Sequence, residues 1–379
     1  MRRLFLAPEE MSASRRTVPS LDGLRAISIL IVLSAHFISS RLFPGGLGVY
    51  IFFVISGFLI TRLLVSEYNA SQTLSLRHFY LRRIVRLYPA IIAFTACVLA
   101  MDIVLHRPYN IVEPASALGY FANYLYVYFD AHDISGQMPF AVFWSLSVEE
   151  HFYILLPVLF LMLRGETVRL AWAAAGLCIV CLGLRVGMAW LHPEYLTTQI
   201  FYSESQYRLD SIVFGMILAL ACEHDRGRRL LISLGHPVAV AVALAAVAAS
   251  LTVRDPWFRE TFRYTLTGCA LDVLIAAILF NPLFRHVQRA LNTAAAIWLG
   301  RLSYSLYIWH EGVASFLPFQ DRPRWQAIII TLLLTIVLAA ASYYAIEQPF
   351  LRLRRRLGAP QTGAVFQSAS QSIPIKLGT

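Results

Sequence analysis

The sequence predicts an all-helical integral membrane protein, a bundle of about ten transmembrane helices with both termini in the cytoplasm. Of the 379 residues, 58% are hydrophobic and only 14% are charged, and the mean hydropathy is +0.61. This composition is too apolar for a soluble enzyme. The apolar residues also form runs of the length that crosses a bilayer as a helix.

Ten apolar runs follow one another along the chain, and each predicts one span. They cover residues 26–43, 48–65, 87–105, 143–163, 170–191, 209–222, 235–253, 264–281, 295–317 and 325–346. Residues 1–16 carry charge and no sustained apolar stretch, so 1–18 is predicted to be a cytoplasmic segment and not a cleavable signal peptide. Residues 19–356 form the membrane domain, and 357–379 are predicted to be a disordered cytoplasmic tail, because this end is rich in Ser, Gln and Gly.

The distribution of basic residues sets the orientation. Ten spans put both termini on one side, and the segments predicted to share that side carry 22 Arg or Lys residues, against 8 in the alternate loops. The positive-inside rule therefore places both termini in the cytoplasm. The net charge of +10 is divided among short loops, which favours contact with membrane lipids and argues against a nucleic-acid partner. The five cysteines show no zinc-ligand spacing, so no metal is predicted.

His36 is an ionisable residue in the first predicted span, where such residues are costly and usually functional. Arg25, Ser28 and Val32 precede it at helical spacing, so His36 continues a partly polar stripe. The alternative is a histidine that only hydrogen-bonds a neighbouring helix.

Two further segments carry candidate chemistry. After the second span, Arg83 and Arg86 lie one helical turn apart among aromatic residues, where they could bind either phosphates or lipid headgroups. The fourth span begins FWSLSVEEHFY, which places Ser145, Glu149 and Glu150 where a bilayer helix should become apolar. At about 1.5 Å per residue, His36, Glu149 and His310 of the ninth span are expected at comparable depth.

Seven strings in this order resemble acyltransferase family 3, the multi-span membrane O-acyltransferases that modify bacterial cell-surface polysaccharides and other glycosylated acceptors. The resemblance covers nearly the whole hydrophobic body. The strings are LDGLRA (21–26) leading to His36, GVYIFFVISGFL (48–59), RIVRLYP (83–89), WSLSVEE (144–150), YRLD (207–210), LGRLSYSLYIWH (299–310) and EQPF (347–350). The chain departs from many relatives at Tyr50, where they have an acidic residue.

The resemblance implies an O-acetyltransferase that moves an acyl group, most often acetyl, from cytoplasmic acetyl-CoA to a hydroxyl of a glycan or glycolipid, with no metal. His36 would be the general base, with Glu149 orienting it. Arg83, Arg86 and Arg25 would bind the CoA phosphates. The supporting or substrate-binding residues would be Ser145, Glu150, Arg208, Asp210, Tyr304 and His310.

Several alternatives stay open at this point. Transfer could be direct or proceed through an acylated histidine or Ser145. The competing class is a transporter or flippase for a lipid-linked or glycosylated solute, although no internal repeat favours it. The expected location is the bacterial plasma (inner) membrane, and a homo-oligomer is compatible with the sequence.

Overall fold

The structure is a computed structural model, and it describes residues 18, 20–132, 134, 139–317 and 323–356. The predicted tail and nearly all of the predicted N-terminal segment lie outside the described residues. Within the described residues, all regular structure is helical, as predicted.

Seventeen α-helices follow one another in the described part of the chain. In order they are α1 (Leu21–Phe37), α2 (Gly45–Ser71), α3 (Leu76–Val104), α4 (Val112–Leu118), α5 (Ala122–Ala131), α6 (Phe143–Met162), α7 (Thr167–Leu191), α8 (Ile200–Ser203), α9 (Ser205–Ala221), α10 (Asp225–Ser233), α11 (Pro237–Thr252), α12 (Pro256–Glu260), α13 (Phe262–Phe280), α14 (Arg285–Leu291), α15 (Ala294–Phe316), α16 (Arg324–Ala341) and α17 (Gln348–Arg356). Short 3₁₀ turns cover Pro193–Thr197 and Pro282–Phe284, and a π-helical turn, Ser342–Glu347, joins α16 to α17.

Ten of these helices overlap the ten predicted runs, and six segments of the described chain are long and apolar enough to cross a membrane. The six are α2, α3, α6, α7, α13 and the continuous helix Arg324–Leu353. The pair α10 and α11, bent by 76°, gives a seventh if it is counted as one span. Helices α1 and α9 have 17 residues each, about 26 Å, which is shorter than a hydrocarbon core of about 30 Å. The chain is a multi-pass membrane protein, while the count of ten spans and the cytoplasmic termini stay predictions.

Helix α1 ends at Phe37, six residues before the end of the predicted first span. The amides of Ile38 and Ser39 both donate to the Ser34 carbonyl, the Ser39 hydroxyl accepts from the Arg41 amide, and Arg324 donates to the Ile38 carbonyl. These bonds satisfy backbone groups beyond the last helical turn. His36 therefore lies in the last turn of α1.

The arginine-rich segment before the third span is not a separate surface helix. It forms the first turns of α3, which runs without interruption through Pro89 to Val104. Arg82 of α3 pairs with Glu67 of α2 at 2.6 Å, across the short connection between the two helices. The side chains of this segment therefore have fixed positions relative to the membrane span, because both belong to one helix.

Helices α2 and α9 approach closely because each carries a glycine at the contact. A Cβ on Gly57 would lie 2.0 Å from the Ile212 carbonyl oxygen, and one on Gly215 would lie 1.8 Å from that of Val54. Gly57 and Gly215 thus allow the backbones of α2 and α9 to lie in contact.

Helices α4 and α5 form a short hairpin that returns along α3. The Tyr88 hydroxyl donates to the Leu118 carbonyl at 2.9 Å, and the rings of Tyr88 and Tyr120 are 5.6 Å apart. Tyr88 lies sixteen residues before the end of α3 at Val104, about 24 Å along the helix axis. In α5, the side-chain amide of Asn123 donates to the Ser203 carbonyl at 3.3 Å and to the Ser205 hydroxyl at 3.1 Å.

Candidate active site

His36 of α1 lies in contact with the carboxylate of Glu311, the residue that follows His310 in α15. Its Nδ1 lies 3.2 Å from Oε2 of Glu311, and the rings of His36 and His310 meet edge to face at 4.8 Å. We call His36, His310 and Glu311 the histidine cluster. The side chain of His36 is 43% exposed, whereas His310 is fully buried.

The protonation of His310 follows from its partners. Its Nδ1 is 2.6 Å from the Tyr307 carbonyl oxygen, and because a carbonyl can only accept, Nδ1 carries the hydrogen. Nε2 then bears a lone pair. This buried atom has no hydrogen-bond partner among the described residues, and it lies 3.9 Å from Oε2 of Glu311.

The exposed face of His36 opens onto a pocket of about 460 Å³. The lining consists of residues 35–41, at the end of α1, together with Arg324 at the start of α16. Arg41 and Arg324 make the lining basic. A neutral imidazole at the wall of an accessible pocket, with a carboxylate behind it, can accept a proton from a bound hydroxyl.

Ser145 of α6 is connected to this cluster through Tyr307. The hydroxyls of Ser145 and Tyr307 are 2.7 Å apart, and the rings of Tyr307 and His310 are 5.5 Å apart. Tyr307 also donates to the Val142 carbonyl at 3.1 Å. Ser145 therefore joins α6 to α15, and its hydroxyl bonds no basic side chain in the described part of the chain that would make it a nucleophile.

A second group of ionisable residues joins α3 to α6, and we call it the arginine–glutamate cluster. Arg83 donates to Glu150 through Nε at 3.3 Å and Nη2 at 3.1 Å, and its guanidinium lies 3.3 Å from the centre of the Tyr153 ring. The Tyr153 hydroxyl bonds Glu149 at 3.2 Å and also contacts Ser56. The charges of Arg83 and Arg25 both act on Glu149.

Arg86 and Tyr304 lie nearby but make different contacts. The Tyr304 hydroxyl donates to the Leu87 carbonyl at 3.0 Å, which joins α15 to α3. The Arg86 charge acts on Tyr304 and on Glu347. Glu347 ends the π-helical turn and accepts a short hydrogen bond from Ser305.

Arg208 and Asp210 lie in neither cluster. Asp210 pairs with Arg185 at 2.7 Å, and both side chains are fully buried. Arg208 is 1% exposed and its Nε and Nη1 have no hydrogen-bond partner among the described residues. Its guanidinium lies within 4.2 to 6.0 Å of the ring centres of five aromatic residues, Tyr50, Phe53, Trp144, Tyr202 and Tyr264.

The structure changes one detail of the predicted site. Sequence reasoning assigned Glu149 to orient His36, but the carboxylate in contact with His36 is Glu311, and Glu149 contacts Tyr153. Glu311 could have been noticed as an acidic residue directly after His310 in an apolar run. Arg185 and Glu347 also emerge only from the structure, as buried charges with specific partners. The catalytic roles of the predicted residues stay predictions.

The fold and the site together define a multi-pass helical membrane protein in which a histidine–carboxylate pair lines a pocket. The chain belongs to the acyltransferase family: residues 18–346 match the family described as an acyltransferase domain. No solved structure matches the chain.

Curated relatives agree with this family. The chain is 30% identical over 365 residues to the O-acetyltransferase OatA of Staphylococcus aureus strain NCTC 8325 / PS 47, and to the same protein of strain COL. In both alignments the match covers 90% of this chain and 58% of the relative. The chain thus spans less than two thirds of the length of the curated relatives it matches.

Proposed function

We propose that the protein is a membrane O-acetyltransferase that transfers an acyl group, most often acetyl, from cytoplasmic acyl-CoA to a hydroxyl of a glycan or glycolipid. The observation that carries this proposal is the contact of His36 with Glu311 at the wall of a pocket. Family membership and similarity to OatA support acyl transfer as the reaction.

In the proposed mechanism, Nδ1–H of His36 donates to Glu311, which leaves the Nε2 lone pair as the base. Nε2 takes the proton of the acceptor hydroxyl while that oxygen attacks the thioester carbonyl carbon. The tetrahedral intermediate then collapses, the carbon–sulfur bond breaks, and the thiolate leaves with the proton returned by the imidazolium. Glu311 stabilises the imidazolium between these steps, so no acyl-enzyme is needed.

The donor would reach this base from the side of the arginine–glutamate cluster. Arg86 is exposed, and Arg83 is oriented by Glu150 and Tyr153, so a phosphate would replace Glu150 as the acceptor of the Arg83 hydrogen bonds. A fixed guanidinium fork suits phosphate oxygens better than a mobile ammonium does. Arg25, whose charge reaches Glu149, would contribute to the same electropositive surface.

The proposed location is the bacterial inner membrane, with membrane lipids around the bundle and the glycan acceptor at the extracytoplasmic face. The basic lining of the pocket at the end of α1, Arg41 and Arg324, fits an acceptor that carries negative charge. The 22 basic residues on the predicted cytoplasmic side support this orientation.

The test of the mechanism is transfer of labelled acetyl from acetyl-CoA to a panel of envelope oligosaccharides by the full-length protein in nanodiscs. His36→Gln keeps one hydrogen-bonding side chain but removes the base, and we expect a loss of roughly 100-fold to 10,000-fold in turnover. His192→Gln, on an exposed histidine that also pairs with a glutamate, is the matched control. Normal turnover in well-folded His36→Gln protein would refute the assignment. Movement of an oligosaccharide across the bilayer without release of CoA would favour a flippase instead.

The donor site is tested by binding. Changing Arg83 and Arg86 together to Gln should weaken binding of CoA but not of pantetheine, which lacks the phosphates. Equal losses for the two ligands would argue against phosphate recognition. Arg83→Lys should also weaken CoA binding, because an ammonium cannot replace the planar fork.

A further inference from the structure

We propose that His36, His310 and Glu311 bind a divalent transition-metal ion, with Zn²⁺ as the best match to the donor set. The sequence predicts no metal site, because the three ligands come from two segments that are far apart along the chain. The fold brings one donor atom of each side chain to within 4.8 Å of the other two. Two imidazole nitrogens and one carboxylate oxygen are the protein ligands of many zinc centres that keep an open fourth position.

When its ring is neutral, the buried histidine offers its Nε2 lone pair to a metal ion. Nδ1–H of His310 donates to the Tyr307 carbonyl at 2.6 Å, so the lone pair is on Nε2. Metal-bound histidines are commonly fixed in this way, with the second ring nitrogen donating to a backbone carbonyl. Nε2 of His310 is buried without a hydrogen-bond partner in the described part of the chain. Such an atom costs free energy unless something binds it, and Nε2 lies 3.9 Å from the Glu311 carboxylate.

The separations between the ligand atoms are close to those of a tetrahedral site. With zinc–ligand bonds of about 2.1 Å, neighbouring ligand atoms are about 3.4 Å apart. The observed separations are 3.2 Å between His36 and Glu311 and 3.9 Å between His310 and Glu311. The largest separation between two ligand atoms is at most 4.8 Å, so it must shorten by at most about 1.4 Å to reach the tetrahedral value. His36 can supply this movement, because its side chain is half-exposed at the end of α1.

The half-exposed His36 also gives an ion its entry route and its open coordination position, which faces the pocket. Arg41 and Arg324 line that pocket and repel a cation. The bonds to the three ligands must therefore outweigh this repulsion. Binding would involve Nδ1 of His36, the atom that now contacts Glu311. A neutral imidazole has one N–H, so its hydrogen must then lie on Nε2.

This tautomer has a consequence that rests on the proposed function. With the metal on Nδ1 and the hydrogen on Nε2, His36 has no lone pair left to accept the proton of an acceptor hydroxyl. Zinc would therefore inhibit acyl transfer, and removal of the ion would restore it. The ion would act as a regulator of the enzyme and not as its catalyst.

Metal binding is tested directly on the full-length protein in nanodiscs, after treatment with a chelator. Co²⁺ gives a visible absorption band that reports its ligands, Zn²⁺ competes for the same site, and elemental analysis after dialysis gives the stoichiometry. We expect one ion per chain. Glu311→Gln and His36→Gln should each weaken the affinity by at least about tenfold, the smallest loss typical of changes around a metal site.

The matched control is the exposed pair His192 and Glu194, whose Nδ1 and Oε1 are 3.0 Å apart. Changing both to Gln should leave the affinity unchanged, because two donors on one surface turn lack the third. His310→Gln adds a variant of the buried ligand, with its thermal unfolding in the absence of metal as the check on folding. Absence of bound ion in the wild type, or an affinity in Glu311→Gln and His36→Gln equal to that of the wild type, would overturn the proposal.

Activity separates this inference from the proposed function. Reversible inhibition by Zn²⁺ that disappears when Glu311 is changed to Gln supports both. If Zn²⁺ binds with the predicted ligand dependence but transfer continues, the metal site stands and the role of His36 as base fails. If chelation abolishes transfer, the metal site also stands, and the base mechanism must be replaced.

Discussion

Glu311→Gln is the most direct perturbation of the proposed mechanism, because it removes the charge behind His36 and preserves the shape of the side chain. The substitution removes the electrostatic attraction between the Glu311 carboxylate and the His36 imidazolium that forms during transfer. At the observed separation of 3.2 Å, Coulomb's law gives about 1 kcal/mol in water and about 5 kcal/mol at an effective dielectric constant of about 20.

The exposure of the two side chains decides where in this range the effect lies. His36 is 43% exposed and Glu311 is 29% exposed, so solvent screens much of the attraction and the lower half of the range applies. At about 1.4 kcal/mol for each factor of ten, kcat/KM should fall by roughly 10-fold to 100-fold. The loss should be smaller than that caused by His36→Gln, which removes the base itself.

The assay is acetyl transfer from acetyl-CoA in nanodiscs, with a chelator present so that any bound metal does not contribute. Glu194→Gln, which removes the carboxylate from the surface pair with His192, is the control and should keep full activity. An unchanged kcat/KM in Glu311→Gln would refute the inference that this carboxylate stabilises His36. A loss equal to that of His36→Gln would mean that Glu311 itself is the base.

Two further predictions concern the scaffold. Gly215→Ala should lower the thermal unfolding temperature sharply, because the new Cβ would lie 1.8 Å from a carbonyl oxygen of α2. The control is Gly183→Ala, whose Cβ meets no described atom within 4 Å and should leave the unfolding temperature nearly unchanged. Similar unfolding temperatures for the two variants would contradict the close packing of α2 on α9. Asp210→Asn should destabilise the protein by about 3 to 5 kcal/mol, because it leaves the buried Arg185 guanidinium without its counter-charge. Unfolding in mixed detergent measures this loss. Replacing both Asp210 and Arg185 by apolar residues of similar size should recover much of it.

The sequence predicted the helices well because each apolar run is a local property. The ten predicted runs all overlap helices, and the largest errors are at ends that side chains determine, such as the early end of α1 at Phe37. Helix α3 begins at Leu76, before the predicted third span of residues 87–105, because the arginines that precede this span interrupt the apolar run but not the helix. In the structure Glu67 and Glu150 pair with two of those arginines, which makes a helix at this place stable.

The sequence predicted which residue types form the site but not which side chains contact one another. His36 and His310 were both singled out, and a depth estimate placed them at similar heights; their rings are in contact. Which acid faces His36 depends on the rotation of α15 about its axis, and one sequence does not fix that rotation. Sequence reasoning therefore gave the role to Glu149, in the denser group of acids, whereas the structure places the single acid Glu311 beside the histidine.

The hairpin of α4 and α5 also determines the order in which the chain can be built. Its tip rests on Tyr88, which has been synthesised earlier, but Asn123 of α5 is held by Ser203 and Ser205, which leave the ribosome about eighty residues later. Neither short helix can span a bilayer alone. The hydrogen bonds of Asn123 therefore form only after the chain has been extended through Ser205. A nascent chain that stops before residue 203 should leave α5 more sensitive to protease than one extended through α9.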